Sequence, residues 1–303
     1  MSSMRVTNSM MVRSTLRDLN ASHSRLARTQ ETLSTGRQLV RASDDPAVAA
    51  DAMRLRGLTR RSEQYARSLG DAQGLLGSAD SALTMSLERL ERAKELVVRA
   101  SSTGGLSDTN AKNAMAIEIR AIRADLIALA NTRHGERSVF AGNAAGAAFT
   151  AAGVYDGDEG AVRRDVAANT SVQVNVTGTG AFGVEMAISG DAVGNVFEVL
   201  ERMAVAVEAG NGTAVATEHT NLDAATVRVG VATVEIGSRG ARMNEIQVRA
   251  EDDELRLRTL LSEAEDVDIV EALVNAKSQE NAYQAALQVA AKIIPMSLLD
   301  FLR

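Results

Sequence analysis

Residues 46–101 read PAVAADAMRLRGLTRRSEQYARSLGDAQGLLGSADSALTMSLERLERAKELVVRAS, and one spacing runs through them. Val48, Leu55, Ser62, Leu69, Leu76, Leu83, Leu90 and Val97 stand seven positions apart. A seven-residue apolar repeat winds a single stripe along a helix and is the mark of coiled-coil packing. Ser43, Asp44 and Asp45 offer acceptors for the first free N–H groups of such a helix. Pro46 fits its first turn, where no N–H is needed. No other proline occurs before Pro295, so an unbroken helix from Pro46 would reach about 80 Å at about 1.5 Å per residue.

Outward from this segment the spacing recurs. Leu222, Val229, Ile236, Met243, Ala250 and Leu257 keep it in the second half, and Val12, Leu19, Leu26, Leu33 and Val40 keep it near the N-terminus. Thr103, Gly104, Gly105 and Ser107 close the long helix. A further helix is expected from about Asp108 to His134 on Met115, Ile119, Ile122, Leu126 and Leu129. The pattern shifts phase at the acidic stretch 262–268 and resumes on Ile269, Leu273, Ala276, Tyr283, Leu287 and Ile294, where Pro295 should stop the helix. The tail beyond it carries Leu298, Leu299, Phe301 and Leu302, an apolar cluster that invites association if left in water.

The middle of the chain has another composition. Five of the eight aromatics, Phe140, Phe149, Tyr155, Phe182 and Phe197, lie there together with much of the glycine. Val172, Val174 and Val176 alternate with Ser171, Gln173 and Asn175 in the strand period of two, and residues 162–166 are a weaker candidate. The run from Tyr155 to Gly160 contains Asp-Gly and reads as a hairpin turn, ahead of a short helix on Val196, Val199, Leu200 and Met203. The fold class expected is mainly α: a long coiled-coil helical rod formed by both chain ends, with a small inserted β-rich outer domain. Residues 1–45 form an N-terminal helix of an inner assembly core, 46–141 the rod, 142–191 the β-rich domain, 192–265 the returning rod, and 266–303 the C-terminal helix and tail.

Composition narrows the function. The 303 residues include 33 basic and 39 acidic side chains, no cysteine and no tryptophan. A net charge of -6 leaves no positive field for nucleic acid, and no stretch suits membrane insertion or a cleaved signal peptide. Disulfides, thiolate metal sites and cysteine nucleophiles are ruled out. His23, His134 and His219 are too scattered to converge on a metal, and Asp156, Asp158 and Glu159 lack the ligand pattern of a calcium loop. No phosphate cradle, HExxH or GxSxG occurs. Catalytic residues, metal sites and cofactors are therefore expected to be none. Mixed charge clusters such as Arg54 to Glu63 and Glu251 to Arg258 read as solvated helix faces, or as devices that set register between subunits.

Several motifs carry a family resemblance. Thr32-Leu33-Ser34-Thr35-Gly36-Arg37 with Ala42-Ser43-Asp44-Asp45-Pro46-Ala47 resembles the N-terminal signature of the flagellin and hook-associated protein superfamily. Leu129-Ala130-Asn131-Thr132-Arg133 with Val139-Phe140-Ala141-Gly142 is similar to its link toward the outer domain. Tyr155-Asp156-Gly157-Asp158, the stretch from Ile236 to Asn244 and the closing Ser297 to Leu302 resemble further family segments, with the hook-associated protein 3 type favoured over flagellin. The resemblance implies an exported structural protein of the extracellular flagellum, delivered by the flagellar type III apparatus without a cleaved signal peptide. It implies self-association into a junction ring between the preceding hook-associated protein and flagellin, and an export chaperone as a further partner. The assembly interface expected comprises Leu16, Leu19, Leu26, Leu33, Leu273, Tyr283, Leu287, Ile294, Leu298, Leu299, Phe301 and Leu302, with the N-terminal leucines packing on Leu273, Tyr283, Leu287 and Ile294. A filament subunit, an exported coiled-coil adaptor and an exported enzyme with a site among residues 155–191 are the alternatives.

Overall fold

A computed structural model describes residues 8–301 except 40, 44, 102–107 and 186–192, and for residues 8, 9, 11, 12 and 293–301 it describes the backbone. The chain is mainly helical. Its elements are α1 (Asn8–Thr35), α2 (Pro46–Ser101), α3 (Thr109–Ala130), β1 (Arg133–His134), β2 (Arg137–Ser138), β3 (Arg163–Ala167), β4 (Thr170–Gln173), α4 (Gly178–Phe182), α5 (Val196–Ala209), α6 (Gly212–Glu265) and α7 (Ile269–Phe301). They divide into two compact units, residues 1–61 with 254–303, and residues 62–253.

The smaller unit holds α1 packed along α7, the first turns of α2 and the end of α6. Asp45 starts α2 as the sequence suggests, its Oδ1 accepting the N–H groups of Ala47 and Val48. Asp268 does the same for α7 through Val270 and Glu271. Contrary to expectation, α7 does not stop at Pro295 but continues to Phe301. A proline removes one hydrogen bond and strains one turn, a cost of about 3 kcal/mol, and in a helix of 33 residues this is a local loss that does not end the element.

The larger unit is built on the heptads. Leu69, Leu76, Leu83, Leu90 and Val97 of α2 are all buried, as are Leu222, Val229, Ile236 and Met243 of α6. Between the α2 residues lie Ala72, Ala79, Ser86, Ala93 and Ala100, also buried. The stripe thus alternates bulky and small layers at three- and four-residue steps, the pattern of a coiled-coil seam. Ion pairs rim it: Arg92 to Glu118 joins α2 to α3, Arg120 to Glu208 joins α3 to α5, Arg202 to Glu218 joins α5 to α6, and Lys94 to Asp223 joins α2 to α6. Helix α3 ends at Ala130, a turn earlier than expected, because Asn131 caps it. Helix α5 carries a capping box of Asn195 and Glu198 and ends at Gly210, whose φ of 68° suits a residue without Cβ.

Among the described residues the sheets are two antiparallel two-stranded hairpins. Val172, Val174 and Val176 are buried as their alternation implies, but the turn that pairs β3 with β4 is Ala168-Asn169, with Asn169 at a φ of 59°. The Asp-Gly at 156–157, expected to be a hairpin turn, lies in an irregular loop. Phe140, Phe149, Phe182 and Phe197 are each nearly inaccessible and pack mostly edge to face, Phe149 touching Phe182 at 5.7 Å and Phe197 at 5.0 Å between centroids.

Candidate assembly surfaces

In the smaller unit the α1–α7 seam sets leucines of α1 against a largely alanine stripe of α7. Along one stripe of α1 the less exposed positions are Thr15, Leu19, Ser22, Leu26, Thr29 and Leu33, and along one stripe of α7 they are Ala272, Ala276, Gln279, Tyr283, Ala286 and Ala290. Both series advance by alternating steps of three and four, so each is one stripe of a coiled-coil pair. Small residues in the stripe let the two helices approach closely. His23 and Tyr283 add a ring contact across it at 5.6 Å.

This geometry sorts the residues expected at the interface. Leu19, Leu26, Leu33 and Tyr283 lie on the seam. Leu16, Leu273 and Leu287 do not: they are 44%, 61% and 41% exposed, so the expected packing of Leu273 and Leu287 against the α1 leucines is corrected. Alanines of the neighbouring stripe take that place. Val270 and Val274 are exposed beside Leu273 at 74% and 65%, and Met10 is exposed on α1. The pair therefore leaves Leu16, Leu273, Leu287, Val270 and Val274 facing outward, and none of the described residues covers them. The side chains of Ile294, Leu298, Leu299 and Phe301, and residue Leu302 altogether, lie outside the described residues, as do Gly104 and Gly105.

The turn between α6 and α7 meets the loop after α1. Gly36, at a φ of 68°, offers its carbonyl to the Val267 N–H at 3.0 Å, and the Gln38 N–H donates to the Glu265 carbonyl at 2.8 Å. The Glu265 carboxylate is buried and takes a two-point contact from Arg56 of α2, Nε to Oε1 at 2.5 Å and Nη2 to Oε2 at 2.8 Å. That hydrogen bond holds the Arg56 guanidinium above its ordinary pKa. One glutamate thus fastens the exit of α1, the start of α2 and the end of α6. Nothing in the spacing of Arg56 and Glu265, 209 positions apart, marks them as partners.

In the larger unit the motifs of the family resemblance interlock. Asn131 lends its side chain to Phe149 as a strand would, Oδ1 accepting the Phe149 N–H and Nδ2 donating to its carbonyl, both at 2.8 Å. Asp158 accepts the N–H groups of Asn143 at 2.7 Å and Gly160 at 2.8 Å. The Tyr155 hydroxyl donates to the Asp158 carbonyl at 2.7 Å. Gly142, at a φ of 69°, lies where a Cβ would fall 2.1 Å from the Asp158 carboxylate, so only glycine fits. Burial pushes the Tyr155 phenol up to about 12, and the charges of Glu159 and Asp158 act in the same direction. These carboxylates are spent on backbone N–H groups and a threonine hydroxyl, which is the work of a structural knot. Among the described residues no group of three metal-ligating side chains converges, and no helix is long and apolar enough to cross a membrane.

Known proteins fit this arrangement. The family described as bacterial flagellin N-terminal helical region matches residues 6–145. Flagellar hook-associated protein 3 of Salmonella typhimurium is 27% identical over 99% of this chain and 100% of its own length. Flagellin of Bacillus subtilis is 30% identical, but over 42% of each chain. Among solved structures, a flagellar hook-associated protein of Vibrio parahaemolyticus superposes with a TM-score of 0.66 at 18% identity, covering 74% of this chain and all of that one. The chain is thus similar to a flagellin-type N-terminal region over residues 6–145 and to hook-associated protein 3 along its whole length, and it shares the fold of a flagellar hook-associated protein.

Proposed function

We propose that this chain is a non-catalytic structural subunit of the bacterial flagellum at the junction of hook and filament, joining the preceding hook-associated protein to flagellin. The observation that carries the reading is the terminal helix pair. Its seam is alanine-rich on the α7 side, and a second set of apolar residues, Leu16, Val270, Leu273, Val274 and Leu287, faces water. Such a surface is completed by neighbouring subunits. Similarity along the whole length to hook-associated protein 3, against only part of the length to flagellin, supports a junction over a filament role.

In this reading the subunits self-associate into a ring outside the cell, reached through the flagellar export apparatus. The apolar residues Leu298, Leu299, Phe301 and Leu302 serve an export chaperone before assembly, as a helix laid in a groove. The test is deletion of the gene. Cells should still build hooks but release flagellin monomers into the medium; normal filaments, or loss of the hook itself, would overturn the assignment.

A further inference from the structure

Helix α6 has a second apolar stripe. Ala224, Val227, Val231, Val234 and Ser238 step by three, four, three and four, the spacing of a coiled-coil seam, and every one is exposed. They fall two and five places after Leu222 and Val229 in the heptad, on the side of the helix away from its buried stripe. Val227, Val231 and Val234 are 65%, 63% and 73% exposed. Valine is a middling helix former and water is no place for three of them in a row.

A complementary shape lies between α2 and α6. An open groove of about 630 Å³ is lined by Leu76, Gly77 and Asp80 from α2 and by Gly237, Gly240 and Asn244 from α6. Glycine inside a helix costs about 1 kcal/mol relative to alanine, and none of the described residues asks for it here: a Cβ at Gly77, Gly237 or Gly240 would meet none of their atoms within 4 Å. Gly74 shows the contrast, since a Cβ there would strike the His134 ring at 2.6 Å.

We propose that the valine ridge of α6 on one copy seats in the glycine-lined groove between α2 and α6 of a second copy. The inference deepens the junction-ring reading and rests on it. Charge agrees with this occupant. Asp80 stands in the groove and Arg242 follows the ridge one turn after Ser238, and among the described residues neither has an ion-pair partner in its own chain. Ridge and groove are different surfaces of one chain, so their contact is head to tail and generates a ring or a helix of copies. The ridge is about 22 Å long at 1.5 Å per residue. At about 10 Å of width it covers roughly a quarter of the 800 Å² per partner that a stable pair needs. Isolated copies therefore stay monomeric, and the contact holds where further surfaces meet at the same time.

The chain has no cysteine, which makes the test clean. Flagella isolated from cells carrying the full-length Val231→Cys, Gly240→Cys double variant are oxidised and the protein is resolved without reductant. A ladder of linked copies is expected, and each single variant should stay monomeric. Flagella that contain the protein but yield no ladder refute the ridge-and-groove contact while leaving the junction role standing; cells without filament defects on gene deletion refute the role itself. Self-linking of Val231→Cys alone would mean a two-fold contact, and linkage to another protein a different occupant; either overturns the proposal. As a second arm, Gly237→Leu with Gly240→Leu should leave the unfolding midpoint of the monomer equal or raised while filament attachment is lost. Normal attachment by that variant refutes the proposal.

Discussion

Replacing Glu265 by Gln should open the junction of the smaller unit without unfolding the rest. The carboxylate is 8% exposed and accepts one N–H from Arg56 Nη2, with Nε in ion-pair contact at 2.5 Å, and Arg56 is itself 43% exposed. Hydrogen bonds to a charged partner contribute about 1.5–3 kcal/mol. Gln keeps the shape and one acceptor, and the half-exposed Arg56 can turn to water, so the net loss is at the low end, about 1–2 kcal/mol. At about 1.4 kcal/mol per tenfold change, the open fraction rises about 5- to 30-fold. Amide hydrogen exchange reads this directly, because the Gln38 and Val267 N–H groups close the junction onto Glu265 and Gly36. Protection at these two amides should fall by that factor, with that of Leu83 and Leu90 in the larger unit unchanged. Equal exchange in the variant, or a uniform loss across both units, would show that the glutamate is not the fastening point.

Three further outcomes follow from the geometry. Because the Tyr155 phenol is raised to about 12 in the fold and is near 10 when unfolded, the stability it confers is complete below about pH 10 and is lost as pH rises toward 12. Phenolate absorbance should show one late-ionising tyrosine, and Tyr155→Phe should flatten the alkaline limb of the stability curve; an unchanged limb contradicts this. Asn131→Ala leaves the N–H and carbonyl of buried Phe149 without partners, so denaturant unfolding should report a loss of about 2–3 kcal/mol, and a change below 0.5 kcal/mol, roughly the level of an ordinary surface substitution, would refute the bracing role. Leu273→Ser with Leu287→Ser, at exposed positions, should alter monomer stability by no more than about 0.5 kcal/mol while abolishing attachment of filaments in cells; intact filaments would move the assembly surface elsewhere.

The long helices were legible because a heptad repeat is a local signal that survives any tertiary context: Leu69, Leu76, Leu83, Leu90 and Val97 fall on one buried stripe of α2. At the ends the same rule misassigned partners. Leu273 and Leu287 are apolar members of their series, and apolarity says that a side chain is to be covered but not by what. Alanines of α7 meet the α1 leucines at the intramolecular seam, and Leu273 and Leu287 stay exposed. The central aromatics were recognisable as a group, yet Asp158 was not recognisable as a brace, since Asp-Gly reads equally as a turn. Asn169 turns the β3–β4 hairpin without the glycine that announces such turns. Arg56 and Glu265 meet only because α2 and α6 bring them together, a tertiary fact with no trace in spacing.

The alanine-rich stripe that α7 turns to α1 has a consequence for timing. Each buried CH₂ is worth about 0.8 kcal/mol, and a stripe of Ala272, Ala276, Ala286 and Ala290 forgoes most of what leucines there would supply. The two ends of the chain are thereby held together gently, and the stronger apolar groups wait on the outside. In the proposed junction reading, a subunit so arranged gains its full rigidity when it arrives beside others, and association and final ordering become one event.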